Sequence, residues 1–71
     1  MKKFLRKIKN SVVPEAVIAK LCNALGIKWV AISVNRMEGA GGLLAAGKEF
    51  IFSVFDYSEV ENTLNSIKEV I

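Results

Sequence analysis

The sequence contains no histidine, and this absence removes several kinds of site from the 71-residue chain. No imidazole is present to activate a serine or cysteine nucleophile. A zinc or haem site also lacks its usual ligands, because Cys22 is the only cysteine. Cys22 cannot form a disulfide within the chain, and we expect it to be buried, since residues 17–25 are mostly apolar. We therefore expect no metal and no other cofactor.

Long apolar segments are missing as well. The longest stretch without a charged residue covers residues 39–47, far below the ~20 residues that span a bilayer. The first ten residues begin like a secretion signal, but Arg6, Lys7 and Lys9 interrupt what would be its apolar core. A cytoplasmic location is the resulting expectation.

The chain is nonetheless rich in apolar side chains. Hydrophobic residues make up 52% of it, and the mean hydropathy is +0.36, which argues against disorder. A single domain of this length buries only about 60% of the surface that its unfolded chain exposes. We therefore expect part of the apolar surface to be covered by another molecule.

Charge is distributed unevenly along the chain. Residues 1–28 carry a net charge of +6 and residues 29–71 a net charge of −3, which together give +3. Such a basic end suits an anionic partner, either nucleic acid or an anionic membrane surface. It could also act only as a solvated, solubilising end. The cations that predict anion binding lie close together: Lys2, Lys3, Arg6, Lys7 and Lys9.

The same basic segment is amphipathic. Its apolar residues recur at helical spacing, which predicts a short helix over residues 2–10. Such a helix is too short to be stable alone in water, so it needs a surface to dock on. We divide the chain into a basic arm, residues 1–12, and a small α+β domain, residues 13–71. The apolar residues of the arm are Phe4, Leu5 and Ile8.

Two further helices are predicted from their end signals. One covers residues 14–25, because Pro14 suits a first helical turn and Gly26 suits the left-handed residue after a last turn. The final helix begins at Ser58, which is expected to form a capping box with Glu61. Its inward stripe is predicted to consist of Val60, Leu64, Ile67 and Ile71.

Strands are predicted between these helices. Residues 27–37 and 50–57 alternate and are rich in β-branched or aromatic side chains. Residues 38–42 form the turn, and residues 43–46 are either a short middle strand or the start of the next one. The order helix, helix, strand, (strand), strand, helix predicts an α+β fold with a two- or three-stranded antiparallel sheet packed on helices.

Residues 42–49 read G-L-L-A-A-G-K-E, which differs at one position from the phosphate-binding pattern G-x-x-x-x-G-K-[ST]. Glu49 replaces the hydroxyl that would bind magnesium, and a carboxylate there would repel a phosphate. A strand rather than a helix is predicted to follow. We interpret the stretch as a hairpin in which Gly41, Gly42 and Gly47 permit positive φ or a bulge.

Large apolar side chains are predicted on both faces of the sheet, whereas a sheet with one solvated face would alternate cleanly. We therefore expect the chain to form a homo-oligomer, a dimer, through its sheet. The alternatives are a monomer closed by its own first helix and a complex with a different protein. The aromatic residues predicted on the second face of the sheet, Trp29, Phe55 and Tyr57, could also stack bases, although few cations lie between them. The predicted self-association residues are Trp29, Ile51, Phe55 and Tyr57.

Carboxylate pairs are the remaining candidates for catalysis. Asp56 with Glu59, or Glu38 with Glu49, could form such a pair, but charges at hairpin ends are usually solvated. We therefore predict a non-catalytic interaction module that self-associates through its sheet. The alternative is a small nucleic-acid-binding protein that uses the basic arm.

Overall fold

A three-stranded antiparallel sheet and two helices make up the part of the chain, residues 12–71, that a computed structural model describes. This architecture confirms the predicted α+β fold and shows that the middle strand is present. The predicted helix over residues 2–10 lies outside the described residues. In chain order the elements are α1 (Glu15–Leu25), β1 (Ala31–Asn35), β2 (Ala40–Ala45), β3 (Lys48–Ser53) and α2 (Tyr57–Val70).

The sheet is a meander in which each strand pairs with its neighbour in sequence, in the order β1-β2-β3. Leu43 of the central strand lies between Ile32 on one side and Phe50 on the other. Because side chains alternate along a strand, the residues two positions away point to the same face. That neighbouring inward row consists of Val34, Gly41 and Phe52.

Both helices pack on this inward face. Helix α1 contacts β1, α2 contacts β3, and the two helices contact each other. Ile18 of α1, Leu43 of β2 and Leu64 of α2 are fully buried in one apolar cluster. Burying such a side chain contributes roughly 1.5–3 kcal/mol. No polar or charged residue is buried within residues 12–71, so the cluster is held together by apolar packing.

Helix α1 ends as the sequence predicts. Gly26 takes a left-handed φ of 76° just after the last helical residue. The amide of Gly26 donates to the carbonyl of Asn23 at 3.2 Å, and the amide of Ile27 donates to the carbonyl of Cys22 at 2.8 Å. This pair of bonds is the Schellman arrangement, which turns the chain away from the helix towards β1.

Helix α2 begins differently from the prediction. Asp56 precedes the helix in an extended conformation, and its side chain accepts a hydrogen bond from the amide of Ser58 at 2.7 Å. Ser58 is already the second residue of the helix, so its expected capping box with Glu61 is wrong. Asp56 does the capping because its backbone is extended, as an N-cap requires, whereas that of Ser58 is helical.

The inward stripe of α2 is confirmed for three of its four predicted residues. Val60, Leu64 and Ile67 are buried, as the spacing requires. Ile71 remains 41% exposed because the helix ends at Val70, one residue earlier.

The first turn lies nearer to the start of the chain than predicted, at residues 36–39 instead of 38–42. The Asn35 side chain accepts hydrogen bonds from the amides of Met37 and Glu38, at 3.1 and 3.2 Å. Gly39 then supplies the left-handed residue, with a φ of 65°. The turn ends there, and the residues that follow belong to β2.

The near P-loop stretch is a hairpin, as interpreted from the sequence. Ala46 and Gly47 form a two-residue turn between β2 and β3, with φ values of 53° and 74°. Two left-handed residues in succession are typical of a type I′ turn, whose twist matches that of the flanking strands. The expectation of positive φ or a bulge is met only at Gly47, because Gly41 and Gly42 are regular residues of β2.

Gly41 and Gly42 have different reasons for lacking a side chain. A Cβ at Gly41 would lie 2.6 Å from Cγ1 of Val54 and 2.9 Å from the ring of Phe52, inside the core. A Cβ at Gly42 would point to the opposite face and meet Oγ of Ser33 at 2.9 Å. The hydroxyl of Ser33 can rotate away, whereas the two core side chains cannot.

These neighbours allow a matched test of the packing. We expect Gly41→Ala to lower the free energy of unfolding by about 1–3 kcal/mol because the added methyl overpacks the core. Gly42→Ala should change it by less than about 0.5 kcal/mol. Urea unfolding followed by circular dichroism measures both. Equal effects of the two substitutions would contradict this account of the core.

Candidate interaction surface

One face of the sheet is uncovered by either helix within residues 12–71. The strand register places small side chains over most of this face, and only two large apolar residues, Leu44 and Ile51, belong to its strands. We call it the open face. Its side chains come from three rows: Ala31, Leu44 and Glu49; Ser33, Gly42 and Ile51; and Asn35, Ala40 and Ser53.

Ile51 is the main apolar feature of the open face. It lies opposite Gly42 and is 69% exposed, while Leu44, its diagonal neighbour, is 37% exposed. The small residues beside Ile51 leave a shallow depression of about 230 Å³, which is also lined by Ser33 and Glu49. This combination offers a partner an apolar side chain next to a recess in which a similar side chain would fit.

Among the four predicted self-association residues, Ile51 alone lies within a strand of the open face. Phe55 follows β3, is 52% exposed, and rests its ring on Gly39. Trp29 precedes β1, and its indole Nε1 donates to Oδ1 of Asn23 at 3.3 Å. Trp29 and Phe55 therefore lie at opposite ends of β1, which spans roughly 16 Å.

Tyr57 lies elsewhere. Sequence alternation put it on a strand over residues 50–57, but β3 ends at Ser53 and Tyr57 is the first residue of α2. Its side chain is half-buried and packs against the core. The structure thus separates Trp29 from Phe55 by the length of β1 and places Tyr57 on a helix, against the core.

The exposed apolar residues that sequence reasoning missed include Leu44 and Met37. Leu44 points to the open face because β2 is a full strand, and the side chain of Met37 is 95% exposed in the turn of residues 36–39. The signal for Leu44 was the prediction of a short strand over residues 43–46, because neighbouring strand residues point to opposite faces. No pattern marked Met37, which was assigned to the end of a strand.

The outer edge of β3 also presents backbone N–H and C=O groups. The two-residue turn makes Ala45 and Lys48 the hydrogen-bonded pair that closes the hairpin. Because bonded pairs alternate along an antiparallel ladder, the N–H and C=O groups of Glu49, Ile51 and Ser53 point away from β2. No strand lies on that side of β3 among the described residues. Such an edge is a template for another extended chain.

Cys22 is fully buried in the core, as expected, and it carries a free thiol. Burial raises the pKa of the Cys22 thiol above its ordinary value, because a thiolate would lose its hydration there. The group therefore stays protonated at neutral pH and packs as a small apolar side chain.

Two further properties concern residues 12–71 only. They contain no cluster of three or more His, Cys, Asp or Glu side chains placed to hold a metal ion. Neither helix in this range has the length and apolar character needed to cross a bilayer. Of the candidate carboxylates, Asp56 caps α2, whereas Glu38, Glu49 and Glu59 are exposed.

The predicted anion-binding residues lie outside the described part of the chain. The described residues carry seven acidic and five basic side chains, which is a net charge of −2. The positive charge of the chain therefore resides in the arm. Those five cations are Lys2, Lys3, Arg6, Lys7 and Lys9.

Comparisons with protein-family models, with curated proteins and with solved structures found no match to this chain. Its function is therefore inferred from its own surfaces.

The burial of Cys22 predicts slow reaction with thiol reagents. Exposing a fully buried side chain requires an opening that costs about 3 kcal/mol or more, which slows labelling roughly 100-fold or more. We expect thiol labelling of the folded chain in mildly alkaline buffer to be slower by this factor than labelling of the same chain in concentrated urea. Mass spectrometry measures both rates. Rapid labelling of the folded chain would show that Cys22 is accessible.

Proposed function

We propose that the chain is a non-catalytic assembly module that forms a homodimer through the open face of its sheet. The observation that carries the proposal is Ile51, which is 69% exposed beside a recess on the same face. Two copies related by a two-fold axis could each place Ile51 in the recess of the other. We propose a cytoplasmic location, which suits a chain whose single cysteine has no partner within it.

The size of the open face limits the strength of the dimer. Three strands about 4.8 Å apart and about 17 Å long cover roughly 250 Å² in the plane of the sheet. Stable interfaces bury about 800 Å² on each partner. We therefore expect a weak dimer, with a dissociation constant in the micromolar range or above, unless the sheet edges or the arm add to the contact.

Charge is compatible with this arrangement. Glu49 is the only charged residue of the open face. It lies in the end row, beside Leu44 and next to the turn between β2 and β3. Its side chain also lines the recess, so the proposed dimer requires the Glu49 carboxylate to stay at the hydrated rim of the interface.

The proposal predicts that Ile51→Lys abolishes self-association, because a lysine in the centre of the interface would lose its hydration without an opposite charge. Sedimentation velocity at high micromolar concentration measures the effect. The variant should remain folded, since Ile51 is largely exposed.

Val30→Lys is the matched control. Val30 is 73% exposed, about as much as Ile51, but it lies before β1 and outside the open face. It should leave the dimer intact. A strictly monomeric wild-type chain at these concentrations, or an equal loss in both variants, would refute the proposed interface.

A second candidate function is nucleic-acid binding through the arm. Its support is the charge distribution: five cations within the first ten residues, attached to a body with a net charge of −2. A body of the same sign as the phosphates would contribute little, so the arm would carry the affinity. An anionic membrane surface is the other partner that this chemistry fits.

If the arm binds duplex DNA, the logarithm of the binding constant should fall with the logarithm of salt concentration with a slope of up to about −4.5. Replacing Lys2 and Lys3 with alanine should reduce the slope by about 2. Replacing Lys20 and Lys28, which are exposed cations of the body, should leave it unchanged. Absence of salt-dependent binding would remove this candidate, and binding only to anionic vesicles would favour the membrane.

A further inference from the structure

A second concave surface, a groove that shares Glu49 and Ile51 with the open face, runs between the outer edge of β3 and helix α2. Phe50 and Ile51 line it from the strand, and Thr63, Ser66 and Val70 line it from the helix. Its volume is about 390 Å³, and it is open to solvent in the part of the chain that the structure describes.

The groove combines an apolar floor with an acidic rim. Phe50 is half-buried, Val70 is 63% exposed, and Ile67 lies beneath them in the core. Glu49 is the charged residue that lines it. Glu59 lies four residues before Thr63, so it extends the same side of α2 by one turn.

The start of the described chain lies at the end of β3, the strand that lines this groove. The amide of Val13 donates to the carbonyl of Val54 at 2.8 Å, and Val54 directly follows the last residue of β3. The arm therefore leaves the body beside the end of β3. Its eleven residues preceding Val12 can extend about 36 Å, whereas a six-residue strand such as β3 spans roughly 20 Å.

We propose that residues 1–11 dock in the groove between β3 and α2 of their own chain. Five cations would lie near an acidic rim formed by Glu49 and Glu59. The outward backbone groups of Glu49 and Ile51 offer further hydrogen bonds. The apolar side chains that match the floor are Phe4, Leu5 and Ile8.

Docking of the arm has two consequences. It covers the exposed edge of β3, which otherwise could pair with another chain, and so it limits association through that edge. It also engages the same cations that would bind nucleic acid, so an anionic partner has to displace the arm from the groove. Glu49 and Ile51 line both the groove and the recess of the open face, so docking of the arm and dimerisation would meet at β3.

Amide chemical shifts of the full chain test the proposal. We expect Phe4→Ser combined with Ile8→Ser to shift the amides of Thr63, Ser66 and Val70 more than those of α1. These three residues belong to the groove and not to the open face, so a loss of dimerisation would not imitate the result. Unchanged shifts on α2 would overturn the proposal.

Met37→Ser is the matched control for this measurement. Met37 is an exposed apolar residue in the turn of residues 36–39. Its replacement should shift only amides of that turn and of its strand neighbours. Equal shifts on α2 in the control would mean that the arm variant reports a general change in the protein.

Zero-length cross-linking provides a second measurement on the unmodified chain. A carbodiimide joins lysine amines to carboxylates that touch them, and we expect links from the arm to Glu49 and Glu59 rather than to Glu15 and Glu38. Mixing ¹⁴N- and ¹⁵N-labelled chains shows whether both ends belong to one molecule. Links confined to mixed pairs would overturn docking within a chain, and links spread over all carboxylates would overturn the groove.

Discussion

The apolar cluster that β2 shares with both helices is the constraint on which the rest of the structure depends. Among the strands of residues 12–71, only β2 has neighbours on both sides, and its inward residues Leu43 and Ala45 belong to the same buried cluster as Ile18 and Leu64. Gly41 of the same strand lies so close to Phe52 and Val54 that the core has no room for a side chain at this position. Because both helices lie on one side, residues 12–71 have no element left to cover the other side.

The two surfaces that follow from this arrangement meet at β3. Ile51 contributes its side chain to the open face and also lines the groove beside α2. The outward backbone groups of Glu49 and Ile51 lie at the edge of β3 that borders the groove. The side chains of these residues and of Ser53 belong to the open face. Both proposed contacts, apolar packing between copies and docking of the basic arm, would therefore use this strand.

Much of the fold could be predicted because several signals agreed. Gly26 marked the end of α1, and the spacing of Val60, Leu64 and Ile67 marked the inward side of α2. The middle strand was hard to predict because Gly41, inside a strand, looks like a turn residue until its tertiary contacts are known. Nearby, Asn35 capped the turn earlier than the run of glycines suggested.

The candidate site was less predictable because it depends on where strands end. Alternation placed Ile51 on the uncovered face, but Trp29 and Tyr57 belonged to the face only if the strands extended to them. β1 begins only at Ala31, and β3 ends at Ser53, before the cap of α2. The groove joins β3 to α2 through tertiary packing, which no short sequence pattern describes.

Trp29 has a further use that follows from its position. It is the only tryptophan, and its ring is attached through Asn23 to the end of α1, at 37% exposure. Its fluorescence emission therefore reports on the junction between α1 and β1. The neighbouring residue, Val30, donates its amide to the carbonyl of Leu44, an open-face residue. A change in emission on mixing with a partner would therefore report a contact at this end of the open face as well as a disturbance of the end of α1.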